Sequence, residues 1–227
     1  MKKSPEKRIA TLYRVLRDHF GFQHWWPGET RFEIVVGALL TQNCAWSNVE
    51  KAIANLKAAR SLSLGAMQRL PRGELEPLIR PTGYFRQKTE RLSRLLSFLA
   101  DDLHWDGVSS LRHDTVRFRR ELLALSGIGP ETADSILCYG FDRKVFVVDT
   151  YTKRMLSRLP IAVADDYESI RILFERTIQD EMDGTIDTFK DLHAQIVMLG
   201  KQYCRKSTPR CDDCPLFRER LCRRRRV

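Results

Sequence analysis

The chain has 227 residues, 43% of them hydrophobic and 30% charged, and its 39 Lys and Arg outnumber 29 Asp and Glu to give a formal net charge of +10. That length and apolar content suit one large domain or two small ones with a real core and exclude a disordered chain. No apolar run reaches the ~18 residues a membrane span needs, and the opening MKKSPEKRIATLYRV has neither a continuous apolar segment nor a small-residue cleavage site. The expectation is a cytoplasmic protein with no membrane partner. In a reducing compartment its six cysteines read as metal ligands in preference to disulfides.

Helical periodicity dominates the chain. Ile9, Leu12, Tyr13, Leu16 and Phe20 share one helical face. His24-Trp25-Trp26-Pro27 leads into a nearly all-apolar stretch, Phe32 to Leu40, which reads as a buried helix. Leu40-Thr41-Gln42-Asn43-Cys44-Ala45-Trp46 follows, so one helix separates the tryptophan pair from Trp46. Arg80-Pro81-Thr82-Gly83-Tyr84-Phe85 marks a loop-to-helix junction, and Leu92, Leu95, Leu96 and Leu99 restore the helical spacing after it. Leu122, Leu123 and Leu125 end a helix before Ser126-Gly127-Ile128-Gly129-Pro130, and Glu131 to Tyr139 begins the next. The apolar run at 145–148 is too short for a confident strand and reads as an extended connector. Asp166 to Asp180 and Thr188 to Leu199 are further amphipathic helices. Cys44 and Cys138 lie in apolar helical contexts and read as core. The fold class is all-α, with no internal repeat and no long Gly/Ser linker.

The segment LLALSGIGPETADSILCYG carries the first functional signal. Gly127 and Gly129 permit positive φ and close approach of another chain. Pro130 suits the first turn of the following helix, where its missing N–H costs nothing. Unpaired N–H groups at that helix start suit a phosphate, and Ile128 plugs the turn into the core. The competing reading is a tight helix–helix turn that binds nothing.

The second signal is at the C-terminal end. Residues 201–227 hold ten basic side chains, among them Lys201, Arg205, Lys206, Arg210 and the run Arg223 to Arg226, against Asp212, Asp213 and Glu219. Concentrated positive charge points to a polyanion, because each neutralised phosphate releases counterions. A solubilising tail is the plain alternative. Within this stretch Cys204, Cys211, Cys214 and Cys222 are spaced C-x6-C-x2-C-x7-C. Four thiolates so close in sequence fit one metal centre, and the spacing alone allows zinc or an iron–sulfur cluster.

With L-x-G-x-G-x-x-T-A-D followed about twenty residues later by Val147-Val148-Asp149-Thr150, the chain resembles the helix-hairpin-helix (HhH-GPD) DNA glycosylases of the endonuclease III superfamily, from about Phe32 to Cys222. The resemblance implies a six-helix barrel domain over 32–143 and a second domain from both termini, 1–31 and 144–227, with DNA bound in the cleft between them. It implies a [4Fe–4S] cluster in the loop 204–222, although the last cysteine interval is seven residues where five is usual in that family. Arg205, Lys206 and Arg210 would then lie on a phosphate-contacting loop, beside Gly127, Gly129 and Thr132 of the hairpin.

Within this resemblance Asp149 is the expected catalytic carboxylate. Base removal builds oxocarbenium character on the sugar, which a nearby carboxylate stabilises while helping to activate water. Its competing role is an N-cap for the helix beginning near Thr150, and the two can coexist. Bifunctional relatives form a Schiff base through a lysine two residues past the second glycine. Here that active-site position is Glu131, and a carboxylate forms no imine. The expected enzyme is therefore monofunctional and leaves an abasic site, with Lys201 still open as another amine.

The combination W-W-P, F-E-x-x-x-G-A-x-L-T-Q-N, R-P-x-G-Y and G-I-G-x-E resembles the 3-methyladenine branch. It implies that Trp25 and Trp46 sandwich the excised base, with Trp26 in the pocket wall and Lys201 as a basic pocket residue. Another pocket lysine of that branch is matched by Gln195. Alkylated purines carry formal positive charge, which weakens the glycosidic bond and favours aromatic faces by about 0.5–2 kcal/mol per contact. A flipped base leaves a gap, and Gln42 or Asn43 matches the polar filler, with a helix cap as the alternative. The expected partner is double-stranded DNA with damaged bases, bound by a monomer associated with the nucleoid. Two rivals stand: a glycosylase/lyase for oxidised pyrimidines, and a non-catalytic DNA-binding module.

Overall fold

The computed structural model describes residues 4–103, 105 and 114–222, and the described residues form helices joined by turns and extended segments. They divide into two compact units: a central one, Pro27–Arg143, and a terminal one made from both chain ends, through Trp26 and from Lys144. The arginine run 223–226 lies outside the described residues.

The terminal unit contains α1 (Pro5–Phe20), α9 (Thr150–Arg158), α10 (Tyr167–Glu181), α11 (Ile186–Gln202) and the short α12 (Pro215–Arg218). Helix α1 packs on both α10 and α11, and α11 also packs on α9. The stripe read from the sequence is the buried one: Ile9, Leu12 and Leu16 are 0–1% exposed. Phe146 stacks on Phe174 with ring centroids 4.3 Å apart. Polar side chains set the helix starts, as the unpaired first N–H groups require. Ser4, Asp149, Asp166 and Thr185 each accept from a backbone N–H of the first turn.

Residues 145–148 are a buried extended connector. Its backbone finds partners in side chains: Phe146 N–H donates to Glu175 Oε1 at 3.0 Å and Val148 N–H to the Tyr167 hydroxyl at 3.4 Å. Both acceptors belong to α10, so the connector needs no strand partner to satisfy these buried amides.

The central unit runs α2 (Arg31–Leu40), α3 (Trp46–Ala58), α4 (Leu64–Arg69), α5 (Arg72–Ile79), a 3₁₀ turn at Arg80–Thr82, α6 (Phe85–Ser97), α7 (Thr115–Ala124) and α8 (Pro130–Ser135). Helices α6 and α8 continue into π turns, Phe98–Asp102 and Ile136–Gly140. Helix α2 is buried almost all round and packs against α3, α6, α8 and the second π turn, as its uniform apolarity requires. Thr30 caps its start, accepting from Glu33 N–H at 3.1 Å, and Glu33 Oε2 reaches back to accept from Glu29 N–H, one residue before the cap. Cys138 is buried at 1%. Cys44 departs from its helical expectation and lies half-buried in the turn between α2 and α3. Among the described residues no helix is long and apolar enough to cross a membrane.

Candidate active site

In the central unit, α7 and α8 meet at the glycine turn. Gly127 takes φ +90, a conformation closed to most side chains, and the space a Cβ would need is filled by Arg91. Gly129 corrects the expectation for the second glycine: it is extended at φ −92, ψ 176, and nothing lies within 4 Å of where its Cβ would stand. Pro130 opens α8, and Ile128 is 5% exposed. Arg119 grips the fully buried Asp134 with Nε–Oδ1 at 2.7 Å and Nη2–Oδ2 at 3.1 Å, tying α7 to α8 across the turn. Glu131 is exposed in the first turn of α8.

Gln42 binds this turn directly. Its Nε2 donates to Gly127 O at 3.0 Å and to Thr132 Oγ1 at 2.9 Å, while its Oε1 accepts from Arg91 Nη1 at 2.6 Å. Both ends of the amide are therefore engaged by protein. Thr132, 7% exposed, braces the turn through its hydroxyl. Asn43, by contrast, is exposed at φ +49. Trp46 is the first residue of α3, half-buried, and its indole N–H donates to Glu50 at 2.9 Å.

In the terminal unit Asp149 is both N-cap and buried carboxylate, 9% exposed. Its Oδ1 accepts from Thr152 N–H at 2.7 Å and from the Thr152 hydroxyl at 2.9 Å. Its Oδ2 faces His193 Nε2 at 3.5 Å. Burial opposes ionisation, but His193 and the Thr152 donors outweigh it and hold the carboxyl below its ordinary value. Asp149 is thus an ionised carboxylate of weak basicity at the positive end of α9.

Trp25 and Trp26 belong to the same unit, their ring centroids 6.0 Å apart. The exposed Lys201 places Nζ 5.5 Å from the Trp25 ring centroid. The Trp25 indole N–H is buried and meets no acceptor among the described residues. The chain leading to it is anchored by Asp191, which accepts from Tyr13 OH at 2.9 Å and Gln23 N–H at 2.8 Å, and by Gln195, whose Nε2 donates to Gly21 O at 2.6 Å. Burial and Asp191 push the Tyr13 phenol up to about 12.

The four C-terminal cysteines face one another. Burial, then the thiols of Cys214, Cys204 and Cys211, push Cys222 up to about 11, and Cys214 is raised by burial and its sulfur neighbours. Arg158 donates Nη1 to Cys204 Sγ at 3.1 Å and to Arg205 O at 2.8 Å, and Nη2 to Lys206 O at 3.2 Å. Among the described residues no three His, Cys, Asp or Glu side chains converge closely enough to hold a single metal ion. Arg205, Lys206 and Arg210 are exposed, and Arg210 pairs with Asp213 at 2.8 Å.

Three further residues of these units, His193, Lys88 and Arg91, carry no motif in the sequence. The signal for the first two was available: each sits on the apolar stripe of an amphipathic helix, where an ionisable side chain needs a buried partner. Arg91 had no such signal, because only the folded turn brings it against Gly127.

A glycine-turn hairpin joining two helices, with an ionised carboxylate capping the next helix along the chain, defines the class of helix-hairpin-helix base-excision proteins. Residues 36–180 match the model of the HhH-GPD superfamily of base excision DNA repair proteins, and the chain belongs to that family. It is 41% identical over 218 residues to the "Putative DNA repair glycosylase MJ1434" of Methanocaldococcus jannaschii, covering 95% of this chain and 97% of that one. Among solved structures it resembles the H. pylori 3-methyladenine DNA glycosylase bound to 1,N6-ethenoadenine, with a TM-score of 0.77, 29% identity, and coverage of 86% of this chain and 97% of that one. A non-covalent endonuclease III–DNA complex shares the fold at a TM-score of 0.76 and 23% identity, covering 98% of this chain and 96% of the other.

Proposed function

We propose that the protein is a monofunctional DNA N-glycosylase that hydrolyses the glycosidic bond of alkylated purines in duplex DNA and leaves an abasic site. The observation that carries this is Asp149 as an ionised, weakly basic carboxylate, with Glu131 in the position where bifunctional relatives hold an amine. Similarity to the H. pylori 3-methyladenine glycosylase supports the choice of substrate.

The chemistry follows from the charges. A purine alkylated at N3 or N7 is already cationic and departs without strong acid catalysis. As it leaves, positive charge moves to the sugar, where a fixed carboxylate stabilises it. Asp149, held below its ordinary value by His193 and the Thr152 donors against the cost of burial, stays ionised, so its work is electrostatic first and water orientation second. Its Oδ1 is committed to Thr152, which leaves Oδ2 toward the reacting sugar. Trp25, with Trp26 and Lys201 beside it, offers an aromatic face to the cationic base. The open backbone at Gly129 and the basic side chains Arg205, Lys206 and Arg210 hold phosphates. Asn43 fills the gap left by the extruded nucleotide, since the amide of Gln42 is already spent on the hairpin.

The cysteine loop fits an iron–sulfur cluster. Four thiols that influence one another electrostatically, with the Arg158 guanidinium on Cys204, supply the all-cysteine donor set of a [4Fe–4S] group, which Cys204, Cys211, Cys214 and Cys222 would hold. When bound, such a group supplies cross-linking of the loop and one-electron redox capacity. The protein's own contribution is to present Arg205, Lys206 and Arg210 on the backbone that Arg158 secures.

The test is a release assay on methylated duplex. Free 3-methyladenine or 7-methylguanine should appear, strand breaks should appear only after alkali, and Asp149→Asn should abolish release while retaining duplex binding. Direct nicking, or covalent capture of the protein by borohydride, would overturn the monofunctional reading and point to an amine such as Lys201.

A further inference from the structure

The helix cap divides the two oxygens of Asp149 unequally. Oδ1 is saturated by the N–H and hydroxyl of Thr152. Oδ2 receives nothing from α9 and is met instead by His193 from α11, at 3.5 Å. His193 is 5% exposed in the middle of α11, on the same stripe as Phe189, Leu192 and Ile196. Its ring stands edge-on to Phe146 at 87°, and Phe146 is stacked on Phe174. The imidazole is thus held by a packed aromatic wall, with Nε2 toward Oδ2. A contact of this length tightens when charge develops next to the carboxylate.

We propose that His193 is a positioning residue for Asp149: through Nε2 it fixes the orientation of Oδ2, the carboxylate oxygen that the helix cap leaves uncommitted and that faces the developing sugar cation. This rests on the glycosylase reading of Asp149. Without the imidazole, the carboxylate keeps its cap through Oδ1 but rotates about it, and Oδ2 no longer points one way. A sub-ångström to 1 Å loss of position at a reacting group costs up to about a hundredfold in rate. Binding of undamaged duplex does not depend on this oxygen, so the effect falls on kcat and not on general DNA affinity.

Two substitutions separate the roles of the ring nitrogens. Glutamine places its amide nitrogen where Nε2 stands, and asparagine places it where Nδ1 stands. Each variant and the wild type are measured for single-turnover release from methylated duplex and for affinity to undamaged duplex. They are also compared on duplexes carrying an abasic analogue, either a cationic pyrrolidine or a neutral tetrahydrofuran. His193→Gln should keep the rate within about threefold, whereas His193→Asn and His193→Leu should lose about ten- to a hundredfold, with undamaged-duplex affinity unchanged. The preference for cationic over neutral analogue should fall in step with the rate. Equal behaviour of the Gln and Asn variants, or an unchanged cation preference in both Asn and Leu variants, overturns the proposal. If the wild type releases no base, the glycosylase reading fails, and the ratio of analogue affinities still decides the role of His193.

Discussion

Lys88 shows how far a single side chain can depart from its class average. It is 1% exposed on the buried stripe of α6, and its Nζ donates to Leu40 O and Thr82 O, each at 2.8 Å. Burial pushes the amine below its ordinary value. Leu40 ends α2, where unpaired carbonyls and the helix dipole favour a cation. The same amine ties that end to the 3₁₀ turn at Arg80–Thr82. Lys88→Met preserves most of the stem volume but removes the donor to both carbonyls. Orphaned buried acceptors cost about 1–3 kcal/mol each, partly offset by the desolvation no longer required, so a net loss of about 2 kcal/mol is expected. The urea midpoint should fall accordingly, and an unchanged midpoint would mean that water or another donor replaces the amine. Asp149 teaches the complementary lesson at this scale. Its cap role and its proposed catalytic role were both legible as alternatives, and the two oxygens of one carboxylate let them coexist.

At the scale of elements, the glycine hairpin depends on long-range contacts as much as on its own turn. Pro130 in the first turn and buried Ile128 follow directly from local sequence. Equivalence of the two glycines does not. Gly127 needs its positive φ and gives its Cβ space to Arg91, while Gly129 is an ordinary extended residue facing open space. Gly127→Ala should therefore destabilise the fold by about 1–3 kcal/mol. Gly129→Ala should leave stability within about 0.5 kcal/mol yet weaken duplex binding, because on the proposed function a methyl group would meet the phosphate at this open backbone. Denaturation midpoints and duplex affinities, measured on both variants, read the two effects separately. Equal stability losses would remove the distinction drawn from the backbone angles. Gln42 adds a second anchor, since its amide couples the α2–α3 turn to the hairpin through Gly127, Thr132 and Arg91.

For the whole molecule, the terminal unit carries Asp149, Trp25, Lys201 and the cysteine loop, and the central unit carries the hairpin, Asn43 and Trp46. The cysteine loop is tied to the last turn of α9 by Arg158, whose first turn is capped by Asp149. Purified protein should be brown and carry about four irons per chain. Chelation or Cys204→Ser should lower the melting temperature and loosen amide protection in 204–222. Stoichiometric zinc without iron would replace the cluster assignment with a single-ion site.

Sequence alone determined most of the longer helices, the cap at Asp149, the hairpin and the cysteine spacing, because these rest on interactions within a few residues: 3.6-residue periodicity, a side chain capping its own helix, a proline at a helix start. It also named Asp149, since the motif around it is contiguous. Tertiary structure decided which oxygen of Asp149 is uncommitted, that His193 faces it, that Gln42 is spent on the hairpin and that Lys88 is buried. Each of these joins residues far apart in the chain, and no local preference encodes a distance that only the packing of whole helices sets.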